Sequence, residues 1–287
     1  MPLHRSGPSH RALLGAVRTP AVLLSSLALL LVLPGMAEAA VGGDGRHPAH
    51  PDKDWMGSTL VANEGHTPAK PASSRKNVAA SVEGVDVSSH NGNVAWSTLK
   101  NAGVRFAYVK ATEGTTYQNP NFTQQYNGSY KSGMIRGSYH FALPANSTGA
   151  AQANYFASHG GGWSRDGKTL PGALDVEYNP YGAACYGKSQ KAMVDWISDF
   201  VRTYKSRTGR DTVIYTSATW WKTCTGNSTK FRNTNPLWVP NWSSSVGTLP
   251  GGWPFHTFWQ YTSTGKTVGD HDRFNGSFAR LQALANG

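Results

Sequence analysis

Asp175 and Glu177, in the run Leu174-Asp175-Val176-Glu177, are the sharpest chemical feature of the chain. In an extended strand, residues i and i+2 share a face. Their Cα atoms then lie roughly 6.6 Å apart, at about 3.3 Å of rise per residue. Like charges that close resist joint ionisation, so one pKa rises. A protonated acid beside a carboxylate is the pair that glycosidic cleavage requires. A strand-end turn or an ion-pair site would use the same two residues, so spacing alone leaves a structural role open. Other acids also end apolar runs. Asp86 lies in Val85-Asp86-Val87-Ser88, Glu113 in Lys110-Ala111-Thr112-Glu113, and Asp272 in Asp270-His271-Asp272-Arg273.

Acids at many strand ends meet only if the strands run side by side. Short apolar runs at 84–88, 105–111, 135–143, 172–177, 212–216, 237–241 and 257–261 read as strands, with helical patterns between them. The clearest helix carries Met193, Trp196, Ile197, Phe200, Val201 and Tyr204 as one apolar stripe and stops at Gly209. A second starts at Asn119-Pro120. Strands alternating with helices imply a parallel sheet. Helical patterns fade after about residue 210 while strands continue. The expected fold is α/β: a single TIM-like, irregular β/α barrel of about eight strands, with helices missing after the late strands. In such barrels the reactive groups gather at the C-terminal ends of the strands.

Residues 1–40 read as an export signal, because Arg5, Arg11 and Arg18 precede an apolar run over 21–33, followed by Ala37-Glu38-Ala39. The run is short for a membrane span, and no later segment suits one, so stable membrane insertion is not expected. Residues 41–81 are rich in Pro, Gly, Ala, Ser and charge and read as a linker or pro-segment. Trp55 and Met56 break that pattern and are candidates to dock onto the domain at 82–287. The chain carries a net charge of +11, which becomes +9 once 1–40 and their Arg5, Arg11, Arg18 and Glu38 are removed. Such a protein is drawn to anionic wall polymers, and no nucleic-acid motif points elsewhere. Cys185 and Cys224, an even count in an exported chain, are expected to form a disulfide. No HExxH, GxSxG or phosphate-loop pattern is present. No metal or cofactor is expected, and a monomer is.

Gly84-Val85-Asp86-Val87-Ser88-Ser89-His90, FAYVKATEG (106–114), GSYHF (137–141), LDVE (174–177), PLWVPNW (236–242), FWQYTS (258–263) and DHDRFNG (270–276), in that order, resemble glycoside hydrolase family 25, the muramidase lysozymes. The resemblance spans about 82–276. It implies hydrolysis of the β-1,4 bond between N-acetylmuramic acid and N-acetylglucosamine in peptidoglycan glycan strands. It implies Glu177 as general acid and Asp175 as its partner, with Asp86 and Asp272 completing the acidic centre. His271 departs from the hydrophobic residue usual before the last family acid. Lys110 and Glu113 match cleft positions of the family, where a buried salt bridge is the alternative role. Tyr139, Trp242, Gln260 and Tyr261 are candidates to stack on or hydrogen bond to sugar, whereas His140 should point the other way and pack against a helix.

Two acids on one strand leave no opposed nucleophile, which favours assistance by the substrate's own N-acetyl group; Asp86 keeps direct displacement open. A chitinase-like endo-N-acetylglucosaminidase would also use a strand-borne DxE but normally has another Asp three residues before the first acid, where this chain has Gly172. An inactive peptidoglycan-binding protein is the remaining alternative, although no key carboxylate is missing.

Overall fold

A computed structural model describes residues 53–66 and 80–287. The expected export signal at 1–40, and the rest of 41–81, lie outside those residues. The described strands are β1 (Val82–Val87), β2 (Phe106–Glu113), β3 (Tyr117–Gln118), β4 (Ile135–Phe141), β5 (Ala173–Asp175), β6 (Val213–Tyr215), β7 (Leu237–Pro240), β8 (Phe258–Thr262) and β9 (Asp270–Phe274). Neighbouring strands pair in the order β1-β9-β8-β7-β6-β5-β4-β2, and β1 also pairs with β2, so eight strands close into a barrel. The short β3 only flanks β2. From β1 through β8 the neighbours are parallel, while β9 runs antiparallel between β8 and β1. The expected irregular α/β barrel is therefore present, and each expected strand is there with ends shifted by a few residues.

The helices are α1 (Leu60–Glu64), α2 (Trp96–Asn101), α3 (Phe122–Lys131), α4 (Gly149–Ser158), α5 (Gln190–Thr208), α6 (Ala218–Thr225) and α7 (Phe278–Asn286). The stripe on α5 is buried except for Val201, which is partly so; Ser189 caps its start through Ala192, and Gly209 ends it at φ 76°. The helix expected at Asn119-Pro120 begins two residues later, because Asn119 turns its side chain onto the Asn121 amide. No helix joins β7 to β8 or β8 to β9, as expected, but α6 follows β6 against expectation. Ser217 caps it, and two buried tryptophans, Trp220 and Trp221, hold it to the barrel wall. Among the described residues no helix is long and apolar enough to cross a membrane.

Aromatic rings fill the barrel interior: Phe106, Tyr108, Tyr139, Tyr215, Trp238, Phe258 and Phe274 belong to one buried cluster. Glycines on adjoining strands make the room. A Cβ on Gly84 would come within 2.2 Å of the Phe106 ring beside it, and one on Gly137 within 2.3 Å of Tyr108. A second cluster lies under α4, α5 and α6, and a third between α2 and the outer face of β1 and β2. Cys185, in the loop after β5, is bonded to Cys224 on α6, with Cα atoms 5.3 Å apart. The expected disulfide thus ties the loop that follows the Asp175–Glu177 pair to the barrel wall.

Candidate active site

β5 ends at Asp175, and the Val176 amide still bonds to the Tyr215 carbonyl, so Glu177 leaves the barrel just past the last ladder bond. Asp86 sits one residue before the end of β1. All three carboxylates are at most 3% exposed at the C-terminal mouth of the barrel. Burial is the largest influence on each and pushes its pKa up, Glu177 to about 7. The Glu177 charge adds to the rise at Asp175 and Asp86, whereas Lys110 draws Asp175 down and the Gln260 side chain draws Asp86 down.

The antiparallel β9 changes the reading of the last two acids. Asp270 lies opposite Asp86, and Asp272 lies opposite Gly84, two residues further from the mouth. Asp272 is fully buried and accepts a hydrogen bond from the Trp238 indole at 3.0 Å, while its other oxygen has no hydrogen-bond partner among the described residues. Asp270 is the acid at the rim, where Gln260 Nε2 donates to it at 3.2 Å. Strand direction thus sets Asp270 level with Asp86 at the rim and Asp272 two residues beneath it. The signal was in the sequence: Asp270-x-Asp272 has the same one-face spacing as Asp175-x-Glu177, and strand direction decides which acid is uppermost.

Lys110 and Glu113 come together through a bulge. Residues i and i+3 of a regular strand face opposite ways, but the β2–β4 register shifts between Lys110 and Thr112. Both side chains consequently turn inward, Nζ to Oε2 at 2.7 Å, with Lys110 fully buried against the Phe141 and Tyr117 rings. Burial raises the Glu113 pKa to about 7 despite the ammonium beside it. This is the buried salt bridge, placed at the mouth of the barrel. Thr112 turns outward to His140, which also bonds to Gln152 on α4, so His140 faces the helix layer as expected.

Gln260 is the hub of the far wall. Its Nε2 donates to Asp86 at 2.8 Å and to Asp270, and its Oε1 accepts from Tyr215 and from Trp242 Nε1 at 3.1 Å. Tyr139 is buried near Asp86 and Asp175. Tyr261 is the exception among the expected sugar contacts. Its neighbour Gln260 points into the barrel, so the Tyr261 ring faces outward, hydrogen bonded to Glu83 and covered by Arg273 at 4.2 Å.

Residues 53–66 enter the mouth directly, and only Trp55 and Met56 gave notice of it. Glu177 accepts from the Gly57 amide at 2.8 Å, from the Thr59 amide at 3.4 Å and from the Thr59 hydroxyl. Both oxygens of Asp175, by contrast, have no hydrogen-bond partner among the described residues. Donors favour the ionised form of a carboxyl, and unsatisfied burial favours the neutral form. With this segment docked, its donors lower the Glu177 pKa against the rise from burial, while Asp175 receives no such donor from the described residues. Two cavities of about 460 and 430 Å³ lie elsewhere, and none of these acids lines either.

Residues 85–270 match the family glycosyl hydrolases family 25. The chain is 46% identical to Lysozyme M1 of Streptomyces globisporus over 97% of its own length and 99% of that protein. It is 49% identical to an N,O-diacetylmuramidase of Chalaropsis sp, covering 72% of this chain and all of that one. The solved muramidase of Acremonium alcalophilum is 57% identical and superposes with a TM-score of 0.71, over 72% of this chain and 99% of the other.

Proposed function

Since this chain belongs to glycosyl hydrolases family 25, we propose that it is a secreted lysozyme cutting the β-1,4 bond between N-acetylmuramic acid and N-acetylglucosamine in bacterial peptidoglycan. Residues 1–40 would direct export and 82–287 would form the catalytic domain. The observation that carries this reading is the Asp175–Glu177 pair at the barrel mouth, facing Asp86 and Asp270, with Trp242 and Tyr139 as ring-sized neighbours. The names of the lysozyme and the N,O-diacetylmuramidase among its relatives point to the same polymer.

In the proposed reaction, protonated Glu177 gives its proton to the glycosidic oxygen as the bond to C1 breaks. The carbonyl oxygen of the muramic acid N-acetyl group bonds to C1 from the opposite face, and ionised Asp175 accepts that group's N–H. Both Asp175 oxygens lack a hydrogen-bond partner among the described residues, which suits this role. Water, losing its proton to Glu177, then opens the intermediate, and the configuration at C1 is retained. Asp86 and Asp270 supply negative charge to the cationic centre. Digestion of purified peptidoglycan followed by mass spectrometry tests the bond. Products should end in reducing muramic acid; reducing glucosamine, or free peptide with intact glycan, would overturn the assignment.

A further inference from the structure

Residues 53–66 fill the place where a glycan strand must lie. Asp54 sits 1% exposed with its carboxylate 3.2 Å from the Lys110 ammonium, which also donates to the Asp54 carbonyl. Tyr181, from the loop after β5, donates to the same carboxylate. The Trp55 ring lies parallel to Trp242, 6.4 Å between centres and 6° between planes, with His90 5.9 Å away. Met56 is wholly buried in the aromatic interior. Its amide donates to the Tyr139 hydroxyl, and its carbonyl accepts from Gln260. Gly57 takes φ +90°, and a Cβ there would stand 2.6 Å from Gln260 and 2.8 Å from the Tyr215 hydroxyl, so only glycine fits. The Gly57 and Thr59 donors then close on Glu177. Helix α1 follows, and Glu64 accepts from Tyr178 and Ser217 on the rim.

We propose that residues 53–66 are an autoinhibitory strap, which holds the cleft shut until the chain between the strap and β1 is cut. This rests on the function proposed above. The strap touches the very groups that reaction needs: both oxygens of the acid, the tyrosine and glutamine of the wall, and the face of Trp242. Its donors stand where the leaving oxygen must approach Glu177 and occupy both oxygens of that acid. No polymer can reach carboxylates that are at most 3% exposed. Residues 53–66 also lie outside the stretch that matches the family. Being part of the same chain, the strap competes intramolecularly, an advantage that a free peptide lacks. Cutting the tether removes that advantage.

The test uses residues 41–287 with a site-specific protease sequence inserted within 67–79. Cutting, followed by removal of the released peptide, should raise turnover on soluble peptidoglycan by about 10²-fold, in line with the loss of a tethered competitor. In the uncut chain, Trp55→Ala and Gly57→Val should each raise turnover, a gain that general damage to the fold does not produce. A synthetic peptide of residues 53–66 should inhibit the cut enzyme. Equal rates before and after cutting, with strap variants no faster than the parent, would overturn the strap while leaving the proposed function intact. If neither form cleaves peptidoglycan, the proposed function fails instead. Calorimetry with a soluble N-acetylglucosamine–N-acetylmuramic acid oligomer then decides the strap: binding to the cut form alone supports it, and equal binding to both forms rejects it.

Discussion

Glu177 and Asp175 carry the same formal charge two residues apart, yet their surroundings separate them: one accepts hydrogen bonds and the other has no donor among the described residues. In the strap-free enzyme, Glu177→Gln keeps the shape and removes the transferable proton. Turnover should fall by ~10²–10⁴-fold while binding of a glycan oligomer changes little. Near-normal activity would move the proton donor elsewhere, with Asp86 the next candidate. The same variant, made in the full chain, has a pH signature. Burial raises the folded pKa of Glu177 from 4.5 to about 7. The unfolded chain therefore binds fewer protons in that window, and this group's stabilisation is whole below 4.5 and lost as pH rises through about 7. Gln cannot titrate, so the variant should gain stability relative to the parent between pH 4.5 and 7, by at most about 3 kcal/mol, and level off outside. Chemical denaturation of both proteins across that range measures it, and a flat difference would refute the raised pKa. The paired acids were legible because strand spacing is a local property. That Asp270 rather than Asp272 stands level with Asp86 was not legible, because the level of an acid in the barrel depends on strand direction, which no single segment reveals.

At the level of elements, the strands that end in acids could be found from apolar runs, since a strand inside a closed barrel is buried on both faces and reads as a continuous apolar stretch. What such runs hide is irregularity. The bulge on β2 turns Lys110 and Glu113 to one side and Thr112 to the other, and nothing in FAYVKATEG signals it. Tyr261 was a candidate for the cleft, but its hydroxyl donates to Glu83 while Gln260 takes the inward position. Helix α6 was missed because eight residues with two adjacent tryptophans lack a clean stripe. Its docking matters, since Cys224 on α6 anchors the loop bearing Cys185, Tyr178 and Tyr181, three residues of which two bond to the strap. The disulfide closes a loop with a sequence separation of 39, which in the chain-entropy model stabilises by about 4 kcal/mol. The double variant Cys185→Ser/Cys224→Ser should therefore unfold at markedly lower denaturant. Thiol labelling of the unreduced, denatured parent should find no free thiol. Unchanged denaturation of the double variant would mean that the bond does not hold the loop against α6.

For the whole molecule, the balance of charge matters less than its distribution. The chain has 27 basic and 16 acidic residues. Asp54, Asp86, Glu113, Asp175, Glu177, Asp270 and Asp272 are all buried at or below the barrel mouth, while Lys110 is the one Lys or Arg among the buried residues described. Burial also raises the pKa of Asp86, Glu113, Asp175, Glu177, Asp270 and Asp272, so part of their charge is neutralised. The exterior is accordingly more cationic than the net charge indicates. Composition could suggest attraction to polyanions, but only the fold shows that the acids have been withdrawn from the surface. An enzyme with such an exterior should be steered to anionic walls by long-range attraction that salt removes. The Debye length falls from ~10 Å at 0.1 M salt to ~3 Å at 1 M, short of the spacing between dispersed surface charges and a polymer phosphate. Glu177→Gln freed of its strap binds without digesting the wall, so its partition between wall fragments and solution can be followed as salt is raised. Binding should weaken steadily across that range, and more on walls rich in anionic polymer than on walls stripped of it. Retention that ignores both salt and polymer content would assign targeting to the sugar-binding cleft alone.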